Sequence, residues 1–456
     1  MKELPKDYAL RTIGDGGKRI WMYPERPKGR FMRWRTLAHA VLLSLLLVLP
    51  WIDVGGHPGI HIDIPGRRIH FLGLTLFATD GSYLLFLFGF FVFSVFLFTA
   101  LFGRAWCGWA CPQTVFMETV IRPIERLVEG TPTQRRKLDK GPWNANKIVR
   151  KGIKLLLLLA ISEALGTTFT AYFLGRDGVL EAQLHPSAHP AGTFTFLFLT
   201  AITFFDFAWF REQTCLVVCP YGRFQSVLLD ANSLLVAYDE PRGEPRGKKT
   251  DPNAGDCVDC KRCLTVCPTG IDIRRGTQLE CVQCMACIDA CDDIMGKLGR
   301  KPGLIRFSTE NAIAGEPTKI VRPRVVVYAL GLVGVLVAFA VTLSHREPVE
   351  LRLTRQPGVP YMSLPDGRVQ NPMRLRIANK GTEARSFEVD VVSPPDLELV
   401  APTPFVVGPD KVEHMPVFVL RQPWDGGPRT DFTLRIHDDK GFTKDVEGEL
   451  MQGAGK

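Results

Sequence analysis

A run of eight cysteines constrains this chain more than any other feature of its sequence. The run divides into two halves with the same spacing, C-x₂-C-x₂-C-x₃-C, which begin at Cys257 and at Cys281. This spacing is typical of bacterial ferredoxins, in which the fourth cysteine of each half ligates the cluster of the other half. The sequence therefore predicts two [4Fe–4S] clusters with crossed ligand sets.

The crossing assigns four thiolates to each predicted cluster. The first set is Cys257, Cys260, Cys263 and Cys291, and the second set is Cys267, Cys281, Cys284 and Cys287. Zinc sites usually show paired C-x₂-C motifs rather than a triple followed by x₃-C. A disulfide framework is expected in a small secreted chain in an oxidising compartment. Both alternatives fit the eight positions less well than two clusters do.

Composition points to several domains in different surroundings. The chain has 456 residues, a formal net charge of +9, and all twelve cysteines between Cys107 and Cys291. This distribution fits thiols kept in a reducing compartment and a cysteine-free tail placed elsewhere. We expect no cleavable signal peptide, because the first 35 residues are basic and carry no apolar core segment.

Five apolar segments are long enough to cross a bilayer, which takes about 20 residues. They lie at roughly 36–54, 83–102, 154–174, 193–210 and 324–343. Lys and Arg concentrate in residues 1–35 (ten) and 103–154 (eleven), whereas the 55–82 and 175–192 loops hold two and one. The positive-inside rule then predicts a cytoplasmic N-terminus and a cytoplasmic cysteine run, with the tail on the opposite side. The net charge thus reflects membrane topology, and we expect no nucleic-acid partner.

The remaining four cysteines form two pairs, each at the end of an apolar segment. Cys107 and Cys111 precede Pro112, and Cys215 and Cys219 precede Pro220, so both pairs read C-x₃-C-P. Residues four apart lie on one side of a helix, and each pair is therefore expected to present two thiols to one ligand. Buried, inert cysteine is the simpler interpretation. The repeated spacing favours a shared copper or redox site.

The tail beyond the fifth segment changes to alternating apolar and polar residues. Six or seven short strands over 349–450 predict an immunoglobulin-like sandwich. The predicted fold class is therefore a multi-domain membrane protein: a bundle of about five helices, an inserted ferredoxin-like segment with two [4Fe–4S] clusters, and a C-terminal all-β sandwich.

With these motifs in this order, the chain resembles the cytochrome c oxidase accessory protein family (CcoG, also called FixG or RdxA). The resemblance covers nearly the whole length and is carried by the two C-x₃-C-P pairs, the cysteine run ending at Cys291, and the tail. It implies a multi-pass protein of the bacterial inner membrane that serves the assembly of cbb3-type cytochrome oxidase. It further implies a cupric reductase that supplies Cu(I), with oxidase subunits or copper-handling assembly factors as partners.

The resulting hypothesis is an electron relay that ends in the reduction of Cu(II) near the C-x₃-C-P thiols, because soft thiolates favour Cu(I). The electron donor is unidentified. Two alternatives remain: a quinol dehydrogenase that feeds a periplasmic reductase, and a non-catalytic scaffold for oxidase assembly. The predicted domains are a cytoplasmic segment 1–35, a four-helix region 36–239, a linker and ferredoxin-like domain 240–323, a fifth helix 324–343 and a periplasmic domain 344–456.

Overall fold

The computed structural model describes residues 19–77, 81–381, 383–424 and 427–453. Residues 1–18 of the expected N-terminal segment 1–35 lie outside the described residues. The chain forms two compact units, residues 1–339 and 340–456. Each unit is described here by itself.

Five helices in the described residues are long and apolar enough to cross a membrane. They are α1 (Arg30–Val48), α2 (Gly81–Phe102), α7 (Ala145–Leu184), α8 (Pro190–Phe205, continued by a π-helical turn at Asp206–Phe210) and α14 (Pro323–Ser344). The first helix differs from its predicted bounds of 36–54. It begins earlier, among basic residues, and ends before Pro50, whose ring cannot continue a helix. Gly175, with φ +70°, interrupts α7.

The loop between α1 and α2 contains two small antiparallel sheets that the sequence did not predict. Their strands are β1 (Asp53–Val54), β2 (His57–Pro58), β3 (Ile60–Asp63), β4 (Arg68–Phe71) and β5 (Leu74–Phe77). β3, β4 and β5 form one sheet, and β1 pairs with β2.

Short helices connect the membrane helices on the side that carries the cysteines. These are α3 (Ala105–Trp109), α4 (Pro112–Phe116), α5 (Arg122–Glu129), α6 (Pro132–Lys140) and α9 (Pro220–Leu228), with π-helical turns at Met117–Ile121 and Thr214–Val218. The Thr131 side chain caps α6 by accepting a hydrogen bond from the Gln134 backbone N–H, and the Gln134 side chain accepts one from the Thr131 backbone N–H. This capping box fixes where α6 begins.

The cysteine run lies in the sequence between two strands that pair with each other, β6 (Leu235–Tyr238) and β7 (Ile305–Ser308). Between these strands lie α10 (Glu240–Gly243), α11 (Arg262–Thr265), a 3₁₀ turn at Ile273–Arg275 and α12 (Ala286–Leu298), and α13 (Glu310–Ile313) follows β7. Residues 240–256, predicted to be a linker, pack onto this segment: Gly247 donates a backbone hydrogen bond to the Cys257 carbonyl. They therefore form part of the ferredoxin-like fold.

The second unit contains two antiparallel sheets. Its strands are β8 (Val349–Arg355), β9 (Met362–Ser363), β10 (Val369–Asn379), β11 (Arg385–Ser393), β12 (Glu398–Val400), β13 (Phe405–Val407), β14 (Val412–Arg421), β15 (Arg429–Asp438) and β16 (Thr443–Met451). One sheet has the order β12-β14-β10-β8 with β9 paired to β10, and the other has the order β13-β11-β15-β16.

The core between these sheets comes from alternate residues of their strands. Leu375 and Ile377 of β10, Phe387 of β11, and Leu434 and Ile436 of β15 are fully buried. This alternation of buried and exposed positions is what a two-sheet sandwich requires. The sequence predicted six or seven strands; it missed β9, β13 and β16, which are very short or rich in charged residues.

Candidate iron–sulfur and thiol sites

The first half of the cysteine run forms a loop of unusual backbone conformation. Asp259 and Lys261, on either side of Cys260, have φ +49° and +56°. Such left-handed non-glycine residues cost about 1–3 kcal/mol each and persist only where the surrounding structure holds them. Helix α11 then begins immediately before Cys263. Two left-handed residues around one cysteine turn the chain sharply between Cys257 and Cys263.

The second half repeats this conformation. Gln283 and Met285, on either side of Cys284, have φ +51° and +61°, and helix α12 then begins immediately before Cys287. The repeat seen in the sequence is therefore also a repeat of backbone geometry. Turns of this kind point successive backbone N–H groups into a concavity that suits an anionic group.

The thiols of the run gather in two groups that mix the halves. The Cys291 thiol on α12 interacts with those of the first loop, namely Cys263, Cys260 and Cys257. The thiol of Cys287 interacts most strongly with Cys284 and Cys281 of its own loop and then with Cys267 of the first half. Thiols of the two halves therefore interact with each other, and Cys287 also interacts with Cys263 of the first half.

Most of these thiols are buried or partly buried, whereas Cys260 is exposed. Burial, followed by neighbouring thiols, raises the pKa of Cys291 to about 12, and burial is also the main cause that raises the pKa of Cys281 to about 12. A metal ligand must be a thiolate, so metal binding at these positions would release protons. A metal ion or cluster bound here would offset the cost of burying several thiolates together.

A cavity separates the two loops. It has a volume of about 350 Å³, including its opening to solvent, and is lined by Cys263, Cys267, Cys281, Cys284 and Cys287 together with apolar side chains. Ile271 and Ile273 are among its buried walls. The thiol lining provides the donor set that an iron–sulfur cluster needs, and the apolar wall limits access of water. The residues present therefore fit the clusters.

The four remaining thiols also come together. Cys215 interacts with Cys111, Cys107 and Cys219, in that order. Burial is the first cause that raises the pKa of Cys107 and Cys111, and it raises the pKa of Cys215 to about 12. Two pairs that are distant in the sequence therefore form one group of four cysteines, of which Cys107 is buried and the other three are partly buried.

We expected the two cysteines of each pair to lie on one continuous helix, but in the structure the helix is broken between them. Cys107 is in α3, but Cys111 has ψ +126° and is the N-cap of α4. Cys215 is in a π-helical turn, and Cys219, with ψ +109°, is the N-cap of α9. A proline follows the second cysteine of each pair and disfavours helical geometry in the residue before it. The proline therefore turns the second thiol out of the helix that carries the first.

Polar side chains surround Cys107. Its Sγ donates to Oε1 of Gln225 at 3.3 Å, and Nη2 of Arg104 lies 4.0 Å from the same sulfur. Nε of Arg104 also donates to Gln225. The guanidinium partly offsets the effect of burial on the Cys107 pKa. Arg104 would therefore stabilise a thiolate here, a role that no sequence motif indicated.

Gly108 brings the four-thiol group against the cysteine run. A methyl group on Gly108 would lie 2.5 Å from the Val282 carbonyl oxygen and 2.9 Å from the backbone N and Cα of Cys284. Cys107 and Cys284 belong to the same buried cluster, and Cys287 packs against it. The sequence analysis assigned no role to Gly108. A glycine between two functional residues is nevertheless a signal of close backbone approach.

Neither group of cysteines is arranged for a single metal ion. Among the described residues, no three His, Cys, Asp or Glu side chains converge closely enough to hold one ion. The same holds for the described cysteines of the run, five of which line one cavity. A copper ion at the four-thiol group would therefore bind a subset of its thiols or require side-chain rotation.

Family models match three parts of the chain. Residues 210–310 match a 4Fe-4S dicluster domain, residues 84–130 match a 4Fe-4S binding domain, and residues 339–451 match the Ig-like fold at the C-terminus of FixG. Together with five apolar helices, these matches confirm the fold class predicted from the sequence. They define a membrane-bound iron–sulfur protein of the electron-transfer class.

Similar proteins narrow this class to one family. The chain is 34% identical over 489 residues to nitrogen fixation protein FixG of Rhizobium meliloti, covering 94% of this chain and 92% of that protein. It is 36% identical over 384 residues to protein RdxA of Cereibacter sphaeroides, covering 81% and 82%. The chain belongs to the FixG/RdxA family. A crystal structure of a FixG-related protein from Vibrio parahaemolyticus aligns with 24% of this chain and 98% of its own, at 20% identity and a TM-score of 0.22.

Proposed function

We propose that this protein reduces Cu(II) to Cu(I) for the assembly of a cbb3-type cytochrome oxidase. Each copper ion takes up one electron, which comes from a donor on the cytoplasmic side. The iron–sulfur clusters, when bound, supply the capacity to hold single electrons. The partners are oxidase subunits or copper-handling assembly factors. The family resemblance supports the copper and oxidase roles, and the iron–sulfur domains support the electron-transfer role.

The two cysteine groups of the run are the proposed cluster ligands. One set comprises Cys257, Cys260, Cys263 and Cys291, and the other comprises Cys267, Cys281, Cys284 and Cys287. The interaction of Cys291 with the first loop supports the crossed assignment, since a set confined to one half would leave Cys291 beside its own loop.

The four-thiol group of Cys107, Cys111, Cys215 and Cys219 is the proposed place of copper reduction. The observation that carries this proposal is the contact of Gly108 with the Cys284 backbone, which puts a soft-ligand site beside a proposed cluster ligand. Soft thiolates favour Cu(I) over Cu(II), so binding here also makes reduction more favourable. The chain's own contribution is therefore to hold the sulfurs close to the cysteine run and out of water.

The proposed location is the bacterial inner membrane, with the cysteine run in the cytoplasm and the sandwich in the periplasm. The asymmetry of Lys and Arg between the loops supports this orientation. Fusions of a compartment-specific reporter after Lys456 and near Arg246 test it. Activity of the first fusion only in the periplasm and of the second only in the cytoplasm is expected, and the reverse pattern would exclude the orientation.

The copper proposal is tested with the Cys107→Ser/Cys219→Ser double variant. Wild-type protein and variant are purified anaerobically in detergent, reduced chemically and mixed with Cu(II), and Cu(I) is followed with a chromogenic chelator. The variant is expected to keep its iron and its cluster reduction while losing most Cu(I) binding and Cu(II) reduction. Unchanged copper chemistry in a folded variant would rule out the four-thiol group as the copper site.

A second candidate role for the same thiols is a further iron–sulfur centre. The family model described as a 4Fe-4S binding domain spans residues 84–130, which contain only Cys107 and Cys111. Two thiolates are too few for a cluster, and Cys215 and Cys219 complete a set of four. The iron content of the double variant distinguishes the two roles, because only a ligand role for a cluster predicts that iron is lost.

A further inference from the structure

A pocket lined by arginines lies next to Val266, Pro268 and Ala286 of the cysteine run. It encloses about 370 Å³, including its opening to solvent. The N-terminal segment contributes Arg26, α1 contributes Arg35, α5 contributes Arg122 and Arg126, and α6 contributes Arg135. We call it the arginine pocket. Five guanidinium groups from four parts of the chain thus converge on one space.

The carboxylates in the wall do not balance this charge. Glu25 and Glu118 are the acidic residues that line the pocket. Glu25 is already paired with Arg262, and Glu118 is shared between Arg122 at 3.0 Å and Arg35 at 3.7 Å. Glu25 is therefore neutralised by Arg262, which does not line the pocket, and Glu118 is shared between two of the pocket's arginines.

Arg122 and Arg135 are neutralised by carboxylates that do not line the pocket. Arg122 also pairs with Glu212 at 3.1 Å, and Arg135 pairs with Glu125 at 2.5 Å and Glu129 at 3.3 Å. These ion pairs account for the charge of both guanidiniums. They leave three arginines to be explained.

Arg35 keeps one unpaired donor although its Nη1 lies 3.7 Å from Glu118, and Arg26 and Arg126 keep their charge without an acidic partner among the described residues. Arg35 is 1% exposed, and its Nη2 is buried with no hydrogen-bond partner in the part of the chain that the structure describes. Arg26 donates to the Thr36 hydroxyl, and Arg126 donates to the Arg122 carbonyl. Neither forms an ion pair with a described residue. Burial and nearby guanidiniums, of which Arg26 is the first, lower the pKa of Arg126.

The buried Nη2 donor of Arg35 has no acceptor, and Arg26 and Arg126 carry positive charge without an ion pair among the described residues, so an anion in the pocket would be favourable. A guanidinium without a partner loses solvation that only an opposite charge can replace. Donors that approach from three parts of the chain suit a tetrahedral oxyanion, whose oxygens point in several directions. Guanidinium forks match phosphate oxygens in pairs. From this geometry we propose that the arginine pocket binds a phosphate group, contributed by free phosphate, a small phosphorylated molecule or a phospholipid headgroup.

An anion in the arginine pocket would lie close to two of the proposed cluster ligands. Val266, Pro268 and Ala286 also line it, and they adjoin the proposed cluster ligands Cys267 and Cys287. Negative charge beside a cluster makes its reduction harder, because local net charge is one of the determinants of the potential. This consequence rests on the proposed function, whereas phosphate binding does not.

Binding is tested with the full-length protein, delipidated in a neutral detergent. Inorganic phosphate is titrated by calorimetry at constant ionic strength, with chloride as the balancing anion. Arg126→Gln is expected to weaken binding about tenfold, as the loss of a charge-assisted hydrogen bond implies. Arg136→Gln is the matched control, because Arg136 is the exposed neighbour of Arg135 on α6 and does not line the pocket. If Arg126→Gln does not fold, the exposed Arg26 provides the equivalent variant, Arg26→Gln.

A second arm identifies the source of the phosphate. Phosphatidylglycerol is added to the same protein, and the bound lipid is counted by native mass spectrometry. A phospholipid headgroup is supported if the lipid competes with phosphate, stays bound to the wild-type protein and is lost from Arg126→Gln. Phosphate binding that lipid does not disturb supports a soluble ligand. Absence of binding by both ligands, or an equal effect of Arg126→Gln and Arg136→Gln, overturns the proposal.

Discussion

Asp289 and Met32 join the ferredoxin-like segment to the first membrane helix. The backbone N–H of Met32, in the first turn of α1, donates to Oδ2 of Asp289 on α12 at 2.7 Å, and the N–H of Phe31 reaches Oδ1 at 3.3 Å. A helix N-terminus has free N–H groups and a partial positive charge, which a carboxylate satisfies. In α1 this cap comes from a residue more than 250 positions away in the sequence.

Asp289→Ala is expected to destabilise the protein by about 1–2 kcal/mol, the usual cost of a lost helix cap. The thermal midpoint of the detergent-solubilised protein measures this loss. Asp293→Ala is the control, because Asp293 lies on the same helix, is exposed, and pairs with Lys297 one turn away. An equal change in both variants would show that the cap contributes nothing beyond a surface charge.

The crossed ligand sets predict opposite effects for two similar substitutions. Cys291→Ser is expected to damage the cluster of the first loop, and Cys267→Ser the cluster of the second, because each removes the fourth ligand from the other half's site. Electron paramagnetic resonance of the reduced variants, with iron analysis, separates the two centres. Loss of the same centre in both variants would contradict the crossed assignment.

Gly108→Ala is expected to push the four-thiol group away from the cysteine run, since its methyl group would overlap the Val282 carbonyl and the Cys284 backbone. We expect slower Cu(II) reduction and a disturbed spectrum of the second centre. Gly296→Ala is a matched control, because Gly296 lies within α12 with no atom within 4 Å of the added carbon. That control should be neutral or stabilising by up to about 1 kcal/mol. Wild-type behaviour of Gly108→Ala would remove the basis for the close contact.

Glu125 is expected to make stability depend on acid pH. Burial alone would raise the pKa of its carboxyl, but the guanidinium of Arg211, with hydrogen bonds of 2.6 and 2.9 Å, and that of Arg135 lower it to about 2. A depressed folded-state pKa contributes stability that is present above the unfolded value near 4.3 and is lost as the pH falls towards 2. The thermal midpoint should therefore drop across this range.

Glu125→Gln should lower stability at neutral pH by about 3 kcal/mol, because it leaves the buried Arg211 with only the more distant carboxylate of Glu212, at 3.8 Å. It should also weaken the fall in stability between pH 4.3 and 2. Glu316→Gln is the control, since Glu316 is exposed and has no ion pair within the described residues. An unchanged acid profile in Glu125→Gln would assign the pH dependence to other carboxylates.

The sequence by itself determined the parts of this protein that depend on local spacing and length. The cysteine spacings indicated iron–sulfur chemistry, because three thiols two residues apart suit the face of a cluster. The apolar segments indicated five membrane helices, because length and hydropathy alone decide whether a helix can cross a bilayer. Alternation in the tail indicated a sandwich, since period-two burial is a property of each strand.

Only the tertiary structure decided how these parts meet. It brought Cys107 and Cys111 together with Cys215 and Cys219, placed Gly108 against Cys284, and supplied Asp289 as the cap of α1. It also gathered Arg35 and Arg126 around one pocket. The repeated C-x₃-C-P spacing favoured a shared site for the four thiols, but no local pattern marks the other pairings, because each depends on which surfaces become buried together. Burial then sets the free-energy cost of every unpaired charge and every added methyl group, and that cost cannot be assigned before the packing is known.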